Sequence, residues 1–244
     1  MDVKYLHYDL QDGYIHNWLT AGPQVIEVSE SFDGEDVERQ IVQHYTMEES
    51  GIKEMPVERG SLSEGTFTVG GYEGAWSYTR ALADHTVDFS ETYPTLSYVR
   101  AWAYAQVEAP AAQEVECVLS THGPADVWVN DEHVHRHEDV HGQRLHDVSF
   151  AVSLSEGRNE ILVRLESSAA GAGPLGLALR VDGLPADAQE EAVVIPTTIE
   201  FVERRNAFER VFKDAYVDQA VFMPKDKLVV HWGDPAERDR KSVV

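Results

Sequence analysis

Cysteine is all but absent from this 244-residue sequence, with Cys117 its one example. An intrachain disulfide is excluded, and so is any Cys-pair metal motif. The run Val115-Glu116-Cys117-Val118-Leu119 alternates apolar and polar residues, which makes Cys117 a small buried hydrophobe rather than a nucleophile. Basic residues are also scarce: 20 Lys and Arg face 43 Asp and Glu, for a formal charge of −23 at pH 7. Such a chain repels phosphate backbones and anionic lipid, so neither nucleic acid nor membrane is an expected partner. The acidity is spread through the loops and reads as a solvated surface. No stretch approaches the roughly 20 apolar residues that span a bilayer. Met1 to Tyr5 does not open a basic-then-apolar export leader, so the cytoplasm is the default expectation, with secretion left open if the sequence is a fragment. Catalytic signatures are missing too: no Gly-rich phosphate loop, Gly-x-Ser-x-Gly elbow or His-Glu-x-x-His helix occurs. With 43 acidic residues, glycosidase-like carboxylate pairs are plentiful and none is marked by context. No catalytic activity in this chain and no cofactor is the expectation.

What the sequence does contain is strand. Hydrophobic residues make up 43% of the chain, enough for a real core. Runs of strand character recur between turn residues over Trp76 to Leu82, Thr86 to Phe89, Ser97 to Val107, Glu114 to Thr121, Ala125 to Val129, His146 to Val152, Asn159 to Glu166 and Gly176 to Val181. That spacing predicts a mainly β protein, an antiparallel β-sandwich of jelly-roll type. Ahead of it, residues 1–75 hold leading strands, broken at Gly22-Pro23, and an acidic region in which Val37, Ile41 and Tyr45 recur at helical spacing. Residues 76–184 form the sandwich core, joined by strands from 14–28. Residues 185–244 hold a strand-like run at Ala192 to Ile195, an amphipathic helix over about Thr198 to Asp218 and a strand at Asp226 to Trp232. We read this last stretch as a linker or the beginning of a further domain.

Three segments carry a family likeness. Ala125-Asp126-Val127-Trp128-Val129-Asn130-Asp131-Glu132-His133-Val134 resembles the strand-turn-strand unit of galactose-binding-like domains attached to glycoside hydrolases. Asn130 and Asp131 suit its two-residue turn because both tolerate positive φ; Asp131 stands where that family more often has glycine. Val152 to Leu165, with its Glu156-Gly157-Arg158-Asn159 turn, and Tyr98 to Ala105 are similar to other strands of the same sandwiches, as is the leader Asn17 to Pro23. The resemblance covers about Tyr14 to Asp182. It implies a non-catalytic carbohydrate-binding or structural module, accessory to a glycoside hydrolase-like protein, with a saccharide and a downstream catalytic domain as partners.

Two groups of candidate site residues follow. Sugar recognition needs an aromatic platform and a few polar groups that orient hydroxyls. Trp76, Trp102 and Trp128 offer the first, unless they pack the core, and Asn130 the second, unless it satisfies its own turn. The other group is His133, His135 and His137, with His141 and His146 nearby. Residues two apart on a strand share a face, so neighbouring imidazoles could hold Zn²⁺ or Ni²⁺. A small cupin-like, metal-dependent protein built on His133 to His146 is the alternative reading, and an exposed polar strand face is the plain one.

Overall fold

The computed structural model describes residues 3–46, 66–69, 72–142 and 144–198. One compact unit runs from Met1 to Ile199. The helix predicted over Thr198 to Asp218 and the strand at Asp226 to Trp232 lie outside the described residues.

Two antiparallel sheets make a sandwich. The large sheet is built on two long strands, β7 (Glu91–Ala109) and β12 (Gly157–Gly173), which pair along nearly their whole length. β9 (Ala125–Val129) and β10 (Glu132–His137) extend the sheet beyond β12. On its other side β7 pairs with β2 (Asn17–Glu27) and with β14 (Val193–Thr198). β5 (Ser77–Arg80) joins β2, and β1 (Val3–Tyr8) joins β14. The small sheet runs in the order β11 (His146–Leu154), β8 (Gln113–Thr121), β13 (Gly176–Asp182), β6 (Val87–Asp88). A hairpin of β3 (Thr66–Val69) and β4 (Tyr72–Ala75) stands apart in pairing.

All eight predicted runs are strands, and several differ in extent. The Trp76 to Leu82 run shortens to β5, with Trp76 lying between β4 and β5 and Ala81 and Leu82 beyond the strand. Gly22-Pro23 does not end its strand: β2 continues through a register shift between Ala21 and Gln24. Glycine is required there, because φ is +99° and a Cβ would lie 3.1 Å from the Arg100 carbonyl oxygen. β1 carries no alternation that marks it in the sequence and exists by pairing with β14.

Alternation decides which faces meet. On the small sheet Val115, Cys117 and Leu119 of β8, Val152 and Leu154 of β11, and Leu177, Leu179 and Val181 of β13 are buried. They pack on an equally apolar face of the large sheet: Val99, Ala101, Ala103, Ala105 and Val107 of β7 with Ile161, Val163 and Leu165 of β12. Burying each Val, Leu or Ile contributes about 1.5–3 kcal/mol. Cys117 belongs to this layer, and burial pushes its thiol up to about 12, which removes any nucleophilic role at neutral pH.

Helix α1 (Val37–Tyr45) covers the opposite face of the large sheet, burying Ile41 and Val42. Nine residues are too few for a stable isolated helix, so packing sustains it. Its C-terminus is closed by Thr46, whose backbone N–H and Oγ1 both donate to the Val42 carbonyl, at 2.8 and 2.7 Å. Among the described residues no helix is long and apolar enough to cross a membrane.

Candidate functional site

Cross-strand partners share a face, so strand register assembles the outer face of the large sheet row by row. One row runs Leu19, Tyr104, Leu162, Trp128, His133, and the next Ala21, Trp102, Arg164, Asp126, Arg136. A third joins Gln24, Arg100 and Glu166, and a fourth Ile26, Tyr98 and Ser168. Trp102 and Trp128 therefore do lie on one face, and Trp76 joins them, its ring 6.1 Å from that of Tyr104. All three are buried, with exposures of 2% for Trp76, 0% for Trp102 and 7% for Trp128.

Charged groups thread between these rings. Arg164, fully buried, donates from Nη2 to Asp126 Oδ2 at 2.7 Å, and the same nitrogen is 3.9 Å from Glu166 Oε2. Asp126 Oδ1 is also 2.8 Å from His133 Nε2 and 3.7 Å from Arg136 Nη1. Glu166 accepts from the Tyr98 hydroxyl and, at 3.2 Å, from Thr46 Oγ1 just beyond α1. Arg100 donates to Gln24 and lies over Tyr98 and Trp102, 5.8 and 5.6 Å from their ring centres, while Arg164 is 5.3 Å from that of Trp128. Burial raises the proton affinity of the Glu166 carboxyl, with Arg164 and the Tyr98 hydroxyl opposing it. Burial, then the Glu166 charge, holds the Tyr98 phenol protonated as a donor.

α1 closes part of this face: Tyr45 stacks on Tyr98 at 5.1 Å between ring centres, and its hydroxyl bonds to Glu30. The face reaches solvent at β10, the edge strand, where the His133 and Arg136 side chains are 41% and 35% exposed. Chemically this is a charge-paired layer whose polar groups reach solvent at β10. Asp126 and Glu166 are both engaged by Arg164, unlike two carboxylates flanking an open cleft.

Asn130 acts in its own hairpin. Asn130 and Asp131 have φ of 50° and 66°, the signature of a two-residue primed turn. Asn130 Nδ2 donates to Asn159 Oδ1 at 2.9 Å and its Oδ1 accepts from the Glu160 N–H at 2.9 Å. Buried Asn159 secures the neighbouring turn through Ser155 and Gly157.

The three histidines of β10 are separated. The register slips between His133 and His135, leaving one extra residue on β10. His133 thus pairs with Trp128 on the outer face, whereas His135 and His137 pair with Val127 and Ala125 on the inner one. Residues at i, i+2 and i+4 share a face only on an unbroken pleat, and this bulge breaks it. His135 stacks on Phe150 of β11, ring centres 4.2 Å apart. His137 instead meets His141, Nε2 to Nε2 at 2.6 Å, and His141 stacks on His146 at 4.2 Å.

Sequence reasoning missed Asp126, Arg164 and Glu166 as a connected set. The signal was a strand, Ile161 to Glu166, whose polar positions recur every second residue; alternation alone assigns such positions to solvent.

Comparison with known proteins gives structural likenesses alone: no family model matches the sequence, and no curated protein matches it. A family 35 carbohydrate binding module from Clostridium thermocellum is 15% identical, with a TM-score of 0.26 over 41% of this chain and 94% of that one. A family 35 module from an environmental isolate is 12% identical, with a TM-score of 0.29 over 75% of this chain and 93% of that one. The GH31 alpha-xylosidase from Xanthomonas citri is 11% identical, with a TM-score of 0.34 over 80% of this chain and 19% of that one. At these TM-scores the likenesses carry no conclusion about what this chain binds.

Proposed function

We propose that this protein is a non-catalytic saccharide-binding module, accessory to a glycoside hydrolase-like catalytic domain. The observation that carries the reading is the exposed rim at β10, where His133 and Arg136 stand 2.8 and 3.7 Å from buried Asp126, with the His133 ring 5.1 Å from that of Trp128. Charged and hydrogen-bonding groups held in place beside an aromatic ring are the chemistry that orients sugar hydroxyls. The sequence likeness supports it, since its segments become β7, β9, β10 and β12, consecutive strands of that sheet. The buried tryptophans shape the face, and the sugar contacts fall to its open rim at His133 and Arg136.

The test is thermal unfolding of the purified chain against mono- and oligosaccharides, because a ligand of the native state raises the midpoint by mass action. We expect a rise specific to one sugar class that Arg136→Ala removes while leaving the sugar-free midpoint nearly unchanged. No rise with any sugar at millimolar concentration overturns the reading.

A further inference from the structure

Three imidazoles from separately anchored segments meet at one margin of the sandwich. His137 ends β10, the edge strand of the large sheet, and points to the inner side; His146 begins β11, the edge strand of the small sheet. His141 comes from the loop between them and is held in place by its backbone N–H, which donates to the His122 carbonyl at 2.8 Å. Ring centres are 4.8 Å apart for His137 and His141, 4.2 Å for His141 and His146, and 6.2 Å for His137 and His146. A cleft of about 610 Å³ opens beside His141, and its charged lining is Asp139 with Glu35, Asp36, Glu38 and Arg39 around the start of α1, four carboxylates against one cation.

We propose that His137, His141 and His146 bind a divalent transition ion of the Zn²⁺ or Ni²⁺ class, which ties the edges of the two sheets together.

Two nitrogen donors already face each other, His137 Nε2 and His141 Nε2, at 2.6 Å. Two Zn–N bonds of about 2.0–2.1 Å at a tetrahedral angle need their nitrogens about 3.3 Å apart, so the pair opens by about 0.7 Å to admit the ion. His146 supplies the third donor by turning its exposed ring out of the stack. Asp139, two residues from both His137 and His141 and lining the cleft beside His141, is the carboxylate for a fourth position. Among the described residues no three such donors already converge on one point, so ring reorientation is part of binding. Imidazole donors select Zn²⁺, Ni²⁺ or Cu²⁺ over Ca²⁺ and Mg²⁺, which prefer all-oxygen sets. The acidic cleft attracts cations toward His141.

The experiment uses the full chain without an affinity tag, treated with chelator and then titrated with Zn²⁺ by calorimetry and by thermal unfolding. Co²⁺ is added separately to read coordination from its visible absorption. One Zn²⁺ per chain is expected, with a raised melting temperature and tetrahedral Co²⁺ bands. His141→Ala and His146→Ala each weaken binding about tenfold or more, and His133→Ala leaves it unchanged. His141 and His146 are chosen because neither is buried, so both variants should keep the metal-free melting temperature near that of the parent. A Zn²⁺ response that survives both variants, equal binding of Ca²⁺, or no response to Zn²⁺ overturns the proposal.

Discussion

At β7 the two faces of the large sheet are both buried and are chemically opposite. Along β7, Val99, Ala101, Ala103, Ala105 and Val107 face the small sheet, while Tyr98, Arg100, Trp102, Tyr104 and Gln106 face the other way. The small inner side chains let a second sheet approach to the roughly 10 Å of ordinary sheet packing. The large outer ones interleave rings with paired charges. Burial on the inner face lowers free energy directly. On the outer face it is sustainable only because Arg164 meets Asp126 and Glu166, and Arg100 meets Gln24. Charge at alternate positions of a strand is therefore no sign of exposure.

The largest expected effect comes from breaking the outer network. Arg164→Met removes the buried cation that Asp126 and Glu166 share, leaving Asp126 its rim partners His133 and Arg136, and should cost about 3–5 kcal/mol in urea unfolding at neutral pH. Ile161→Val, three residues away on the inner face, should cost about 0.5–1.5 kcal/mol. If the valine variant proves the more damaging, the contrast between the faces is wrong.

A smaller change, of opposite sign, sharpens the account of the β9–β10 hairpin. Asp131 occupies φ of 66°, which glycine adopts at less steric cost, so Asp131→Gly should raise stability by about 0.5 kcal/mol. A loss of stability would mean that the Asp131 side chain contributes more than its backbone strain costs.

The smallest effect expected is a pH dependence at the margin of the inner face. His16 is buried just ahead of β2, with Nε2 2.7 Å from His85 Nδ1, and Tyr14 stacked on His85. Burial, followed by His85 and Arg80, lowers the proton affinity of His16 from the ordinary 6.5, and Asp12 opposes them only weakly. The folded state then binds fewer protons than the unfolded one below about pH 6.5. This contribution to stability is complete above that pH and is lost as pH falls through the folded value. Melting temperature should fall on acidification, and His16→Gln should flatten part of the slope; an unchanged slope would remove His16 as its origin.

How much was legible varies with the element. The eight strand runs, the α1 helix and the Asn130-Asp131 turn follow from local pattern, because alternation, 3.6-residue spacing and turn chemistry act over a few residues. β1 was not legible, since its partner β14 is far along the chain. The tryptophans could be picked out as a set, but whether they met solvent or the interior could not. The histidines of β10 were misgrouped by a single extra residue, because a bulge reverses the facing of everything beyond it.

By itself, then, the sequence determined the class of fold, its turns, the burial of Cys117 and the absence of any recognisable catalytic motif. Those properties are written in neighbouring residues. Only the tertiary structure decided that Arg164 joins Asp126 to Glu166, that α1 covers part of the outer face, and that His137 keeps company with His141 and His146 rather than His133. Register between distant strands, and the element that lands on a given face, depend on how the whole chain packs, and no local pattern encodes them.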